Sequence, residues 1–480
     1  MKYELVMGLE VHVELATQSK LFCSCSAKFG AQANENVCPA CAGMPGMLPV
    51  ANKRAIELGM IASILTNSEI TRKITFDKKN YFYPDLSTGY QVTQWFAPIC
   101  RNGYVDIKTS KGKKRIGLKQ IHIEEDAGKL VHDYRTDTSL VDYNRAGVPL
   151  NEIVSMPDFR SAEEVIAYLE KLRSMLSFAG VSDCRMQEGS MRCDVNISVR
   201  EMGSDMLGTR VEIKNMNSLK AIERAIEYEY SRQCEALETG CETLRQETRR
   251  WDDSKGETYA MRSKEDAAEY RYFPYADIMP IVISDEWIAQ VRASIPELAQ
   301  EKKARLMAMG LPEYDCDIIC GNKALSEIFD EAYSHTKKPK AIANWLIVDL
   351  LAMAKDEGVA SDELRLNAGS LAALISLVDE GVVNRGVAKA VLLEVFKNDV
   401  DPAAYIREKG LGMVSDKGRI VEIIRETLEE NPKSVMEYKE GNGKVIPFFV
   451  GRIMKKMQGK ADPRIVNEEL RRQLIDDNKI

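Results

Sequence analysis

Histidine is scarce, four in 480 residues, and no Ser/His/Asp or Cys/His arrangement suited to nucleophilic catalysis is legible in the chain. A long apolar run is missing as well. The longest, at 341–354, contains Asn344 and Asp349 and is too short to span a bilayer. The N-terminus, MKYELVMGLEVHVEL, has neither a signal-peptide apolar region nor an Arg-rich transit pattern, so structure is expected from the first residues, in the cytoplasm and without a membrane. No G-x4-G-K-[ST] string occurs, so any nucleotide site is not a P-loop. Basic residues are not in excess: the net charge is −7, and a nucleic-acid partner would have to meet a local basic patch. There is no internal repeat and no low-complexity run.

What remains is an ordinary globular composition, 45% hydrophobic and 29% charged, long enough for about three domains. Strand-like alternation recurs at 9–15, 119–124, 191–200 and 210–214. Amphipathic helices interrupt it. One runs over 161–180, with a Ser161/Glu164 capping box, an apolar stripe of Val165, Leu169, Leu172 and Leu176, and Gly180 at its C-terminal end. A second runs over 218–240, with Leu219, Ile222 and Ile226 on one face. After about 285 the strand signals stop, and 286–396 reads as helical. A linker is expected at 398–402, with helices beyond it at 419–430 and 464–474. The fold class is therefore α+β: a mixed-sheet domain over 1–290, an all-α domain over 291–400 and a small helical tail over 401–480.

Eleven cysteines in a cytoplasmic chain do not suggest a disulfide framework. Four of them cluster: Cys23 and Cys25 as C-x-C, then Cys38 and Cys41 as C-x2-C, within a loop over 23–41. Two tight pairs joined by a short loop close at small entropic cost, and four thiolates complete a tetrahedral zinc shell with no open position. The expectation is structural zinc; the alternative is four reduced, unligated thiols.

In 9–15 the odd positions are apolar and the even ones are Glu10, His12 and Glu14, which period two puts on one face of a strand. Such a row suits a divalent cation and the phosphates it carries, and equally an ordinary half-solvated strand. Three other segments weigh toward chemistry. His122-Ile123-Glu124-Glu125-Asp126 ends a strand in an acidic cluster. Arg192, Asp194, Asn196 and Ser198 alternate with apolar residues, as do Arg210, Glu212 and Lys214, and the two strands read as a hairpin with one charged face. A sheet face of carboxylates and cations fits phosphoryl transfer.

Several strings closely resemble the B-subunit family of tRNA-dependent aspartyl/glutamyl amidotransferases. They include GLEVHVEL at 8–15, CPACAGMPGMLPVAN at 38–52, FDKKNYFYPDLSTGYQ at 76–91, HIEEDAGK at 122–129 and DYNRAGVPLNEIV at 142–154. GVSDCRMQEGSMRCDVNISVR at 180–200, EIKNMNS at 212–218 and FFVGRIMKKMQGKADP at 448–463 extend the likeness over essentially the whole chain. The resemblance implies a glutamine-synthetase-like cradle domain, a helical domain and a tRNA-contacting tail. It also implies the reaction: ATP and Mg²⁺ phosphorylate the side-chain carboxylate of Glu-tRNA(Gln) or Asp-tRNA(Asn), and ammonia then displaces phosphate. Ammonia would come from a glutaminase A subunit in a heterotrimer completed by a C subunit, with misacylated tRNA and the cognate aminoacyl-tRNA synthetase as further partners. Transferred by position, Glu10, His12 and Glu125 are the magnesium and phosphate residues, Glu124 and Glu152 join them in catalysis, and Lys79 lies on the ammonia path. Arg192, Asp194, Glu212 and Lys214 would serve phosphate and substrate. Family members often carry His-Asp before Tyr-Arg-Tyr-Phe-Pro, where this chain has Ala268-Glu269.

The tail supplies the basic patch. Between positions 439 and 464 lie Lys439, Lys444, Arg452, Lys455, Lys456, Lys460 and Arg464 against only Glu440 and Asp462, a local +5. Lys444, Arg452, Lys455, Lys456 and Lys460 are the expected tRNA contacts. Two other readings stay open on these residues: a non-catalytic zinc-containing tRNA-binding or assembly protein, and a free-standing ligase acting on a small molecule.

Overall fold

The computed structural model describes residues 2–133, 135–263, 270–359, 364–412, 417–439, 442, 445–457, 461 and 463–476. They form two compact units, Met1–Leu298 and Ala299–Ile480. The first is built on a nine-stranded sheet in the order Glu257–Ser263, Glu247–Asp252, Val211–Lys214, Met191–Glu201, Tyr3–Glu14, Pro149–Ser155, Gly112–Glu125, Cys100–Thr109, Glu69–Ile70. Val211–Lys214 and Glu247–Asp252 run parallel, and the other pairs are antiparallel. The expected α+β class holds.

Period two decides what each face does. In the central Tyr3–Glu14 strand, Leu9, Val11 and Val13 are fully buried, while Glu10, His12 and Glu14 stay half-buried on the opposite face. The apolar face is covered by helices Lys53–Leu65, Ala162–Phe178 and Leu219–Thr239, which share one core with it. Helix Ala162–Phe178 forms as its sequence predicts. Ser161 accepts from the Glu164 N–H at 3.3 Å, and Val165, Leu169, Leu172 and Leu176 are all buried. Each such side chain contributes about 1.5–3 kcal/mol of burial. Gly180, at φ +69°, turns the chain out, and the Val181 N–H closes on the Leu176 carbonyl at 2.9 Å. The capping box differs from expectation. Glu164 Oε2 accepts from the N–H of Arg160 (2.7 Å) rather than Ser161, because Lys114 on a sheet strand holds the same oxygen at 2.8 Å. Helix Lys53–Leu65 lies so close to the sheet that a Cβ on Gly59 would meet Ile123 Cδ1 at 2.8 Å.

A small sheet, with Asp77–Asn80 between Phe273–Pro274 and Tyr90–Thr93, carries Lys79. Its strands are too short and too polar to show in the sequence pattern.

The second unit is helical and holds two cores. One, around Phe329, Trp345, Leu371 and Leu392, includes Ile406. The segment expected as a linker is a tight turn within it: Asp399 is left-handed (φ 48°), and Asp401 caps helix Pro402–Glu408. The apolar stretch at 341–354 is helical but interrupted by a π segment, Trp345–Leu350. The other core joins Ile420, Ile424, Phe449, Ile453, Val466 and Leu470 from helices Lys417–Glu429, Ile446–Lys456 and Pro463–Asp476. Among the described residues no helix is long and apolar enough to cross a membrane.

Candidate active site and cysteine cluster

Strand register assembles the polar face. His12 stands opposite Glu152 on one side and Arg192 on the other; Glu10 stands opposite Asp194; Glu152 stands opposite His122; Asn196 stands opposite Glu212. The result is two groups of ligand atoms, each within 4.8 Å of one another: His12 with Glu124 and Glu152, and Glu10 with Asp194 and Glu212.

The first group is crowded with charge. Burial, then the neighbouring Glu152 carboxylate, push the Glu124 carboxyl well above the usual range. Glu152 is held low; burial opposes this, and His12, His122 and Lys79 outweigh it. Glu124 accepts from Thr93 Oγ1 at 3.1 Å, and His12 Nε2 lies 3.8 Å from its other oxygen. His122, whose protonated form burial disfavours and the Glu152 charge favours, has Nδ1 3.8 Å from Glu152 Oε2 and, among the described residues, no hydrogen-bond partner on Nε2. Lys79 sits 3.5 Å from Gln91 Oε1 and 4.9 Å from the centre of the Tyr270 ring, close enough for its charge to act on both Glu124 and Glu152.

The second group has a cation already in it. Lys214 Nζ lies 2.5 Å from Asp194 Oδ2 and 3.1 Å from Glu212 Oε1. Asn196 donates to Glu10 Oε1 at 2.9 Å, yet burial and then Glu152 and Glu212 still raise Glu10. Carboxylates repelling one another on a half-buried face are the donor set a hard divalent cation takes. Glu10, Asp194 and Glu212 offer oxygen alone, as magnesium prefers; the His12 group is mixed. Arg192 is engaged with Asp126 at 2.7 Å, and the Glu14 carboxyl beside it is raised to about 8 by burial and the Asp126 charge.

Glu125 does not join Glu10 and His12. Adjacent strand residues face opposite ways, so with Glu124 on the polar face Glu125 points to the other, where it lines a cavity of about 210 Å³ with Lys20, Cys23, Cys41 and Tyr275. The four loop cysteines converge there. Cys41 Sγ lies 3.9 Å from both Cys25 Sγ and Cys38 Sγ, and all four sulfurs fall within 4.8 Å. A tetrahedron of sulfurs about 2.3 Å from a central zinc has edges of about 3.8 Å, so the set fits. The Cys41 thiol is drawn down to about 4 by hydrogen bonding from Cys23, the Cys38 N–H and the Lys20 charge. Lys20, fully buried, places Nζ 3.5 Å from Cys41 Sγ and donates to the Tyr143 carbonyl at 3.0 Å. Gly43 closes the loop at φ +70°, where a Cβ would meet the Ser87 carbonyl oxygen at 2.8 Å.

Sequence reasoning missed Lys20, Thr93 and the tyrosines around Lys79. Lys20 had a signal, a lysine directly before the buried pair Leu21 and Phe22; Thr93 had none. In the tail, Arg452 and Lys455 are exposed, whereas Lys456 pairs with Glu430 (2.7 Å) and Glu426 (3.7 Å). Lys444, Lys460 and the Ala268-Glu269 departure lie outside the described residues.

Residues 5–289 match the family model described as the GatB/GatE catalytic domain, and 327–474 match the GatB domain. The chain is 54% identical over 470 residues to a protein of Lachnoclostridium phytofermentans named as the B subunit of an aspartyl/glutamyl-tRNA(Asn/Gln) amidotransferase, covering 98% of each. Proteins of the same name from Caldicellulosiruptor saccharolyticus and Agathobacter rectalis are 50% and 52% identical, over 99% and 98% of each chain respectively. A likeness of this depth, end to end and through both domain models, means that the chain belongs to the GatB family of amidotransferase B subunits.

Proposed function

We propose that this chain phosphorylates and then amidates the side-chain carboxylate of Glu-tRNA(Gln), Asp-tRNA(Asn) or both, as part of a complex whose A subunit releases ammonia from glutamine and whose C subunit completes the heterotrimer. The observation that carries the reading is the pair of carboxylate groups on one sheet face, flanked by Lys79 and Lys214. The γ-phosphoryl of ATP passes to a carboxylate oxygen, releasing ADP. Ammonia attacks the acyl carbon, and phosphate and a proton leave.

Glu10, Asp194 and Glu212 would hold magnesium, with His12, Glu124 and Glu152 as the adjoining set. When bound, the ion supplies charge neutralisation at the phosphates. Lys214, released from Asp194 and Glu212, is placed to meet a phosphate oxygen. Arg192, oriented by Asp126, adds fixed positive charge beside His12. Lys79, which contacts Gln91 and Tyr270, would line the path of ammonia toward the carboxylate face. The cysteine loop would hold zinc structurally, on the side of the strand that Glu125 faces. The test is ATP cleavage by the reconstituted three-subunit complex. Cleavage should depend on misacylated tRNA, and cleavage indifferent to it would refute the reading.

The tail would bind tRNA without taking part in the chemistry. Arg452→Ala/Lys455→Ala should raise KM for charged tRNA and lower the salt slope of binding by about 1 for each lost phosphate contact, with kcat nearly unchanged. Lys456→Ala should do less, because Glu430 and Glu426 already neutralise it. Filter binding across a salt series measures both. An unchanged slope with a collapsed kcat would show that the tail orders the active site instead.

A further inference from the structure

An aromatic pair, one ring of it exposed and the other half-buried, stands next to the carboxylate face. Trp95 and Tyr272 stack with ring centroids 4.3 Å apart and planes within 9°. Trp95 is 48% exposed, so part of the indole faces outward. The pair is braced. Tyr270 meets Tyr272 edge-on at 6.0 Å, the Phe96 N–H donates to the buried Asp77 carboxylate at 2.9 Å, and Arg101 Nη2 donates to the Phe96 carbonyl at 3.0 Å. A large aromatic surface pinned on its backbone and on one face is already ordered, so a flat ligand can stack on it without the cost of fixing a side chain.

Its position relates it to the chemistry. Thr93, two residues before Trp95, donates to Glu124. Two residues of chain reach at most roughly 7 Å. Tyr272 feels the charges of Glu152 and Glu124. We infer that Trp95, backed by Tyr272, is a stacking platform for the adenine ring of a substrate. The inference rests on the function proposed above, in which both substrates end in an adenosine: ATP carries its phosphates on one, and the aminoacyl group is esterified to the 3′-terminal adenosine of tRNA. In either case a short chain of rotatable bonds ties the base to the reacting group, and a platform beside Glu124 restricts that chain by holding the base.

The test uses Trp95→Ala and Trp95→Phe in the assembled three-subunit enzyme, reading KM for ATP and for misacylated tRNA separately, with glutaminase activity as the internal control. Stacking on an aromatic is strong enough that W95A should raise one KM by about tenfold or more, and W95F should restore most of it. Glutaminase activity and kcat at saturation should stay near wild type. A rise in KM for ATP assigns the platform to the nucleotide base, and a rise for tRNA assigns it to the terminal adenosine. The inference falls if both KM values stay within about twofold of wild type in both variants, since a base stacked on Trp95 would be worth more than that. Should W95A fail to assemble, Trp95→Leu, which keeps apolar bulk without a π face, takes its place, and KM values within about twofold of wild type there overturn the inference equally. Wild-type enzyme that cleaves no ATP in response to tRNA would instead refute the underlying function.

Discussion

Replacing Glu124 by Gln is expected to cut tRNA-dependent ATP cleavage by ~10²-fold or more while leaving the folded state as stable as wild type. The two halves of that expectation come from the same environment. Burial and the Glu152 carboxylate hold Glu124 protonated, so a neutral amide of the same shape replaces what is already a neutral group, and it can still accept from Thr93. Folding has nothing to lose. The chemistry does, because in the proposed reaction Glu124 must give up its proton to join His12 and Glu152 as an anionic donor, and glutamine has no charge to give. Glu152→Gln should be at least as damaging to cleavage. It removes the carboxylate that His12, His122 and Lys79 hold ionised, and it should also perturb folding by leaving their charge and polarity uncompensated. Thermal unfolding read beside ATP cleavage in the reconstituted complex separates the two variants, with glutaminase activity confirming that the partner subunit is intact. If E124Q cleaves ATP at near the wild-type rate, Glu124 is a buried structural acid and the His12 group is not catalytic.

Much of this face is legible in the sequence, for a simple reason. Alternation is local, so Glu10, His12 and Glu14 can be placed on one side of a strand, and Arg192, Asp194 and Asn196 on one side of another, from spacing alone. The same rule separates Glu124 from Glu125, although grouping by family likeness puts Glu125 with Glu10 and His12. What spacing cannot supply is register between strands far apart in the chain. That His12 faces Glu152, and Glu152 faces His122, depends on pairings that include one across more than a hundred residues. Lys79 is harder still. It rides on a four-residue strand whose partners, Tyr90–Thr93 and Phe273–Pro274, are themselves too short to show periodicity. The small sheet forms because tertiary packing around Phe76 and Val92, both buried, overrides weak local preference.

Freshly purified chain should carry close to one zinc per molecule, and a Cys38→Ala/Cys41→Ala double variant should carry none. Structural zinc in thiolate-rich sites binds with apparent free energies on the order of 10–16 kcal/mol, so its loss should be the largest single stability change available to this loop. Three features favour the metal over four free thiols. The sulfurs stand at tetrahedral edge distances. The Cys38 N–H points at one of them, Cys41, at 3.2 Å, as it would at a thiolate. And Lys20 is fully buried with its Nζ against that sulfur and a neutral carbonyl. A buried cation needs an opposite charge nearby, and a zinc tetrathiolate is dianionic; removing Cys41 strands Lys20 in the interior, a change that costs several kcal/mol beyond the lost metal bonds. The double variant should therefore become sensitive to proteolysis within 23–41, and Lys20→Met should relieve part of that sensitivity without restoring zinc. The consequence should reach the cavity behind the sheet, because Lys20, Cys41 and Glu125 line it together. Metal analysis alongside limited proteolysis decides the matter: wild type holding less than about a tenth of an equivalent of zinc, with a loop still more resistant than the variant's, would mean that the four thiols and Lys20 hold the loop by hydrogen bonding alone.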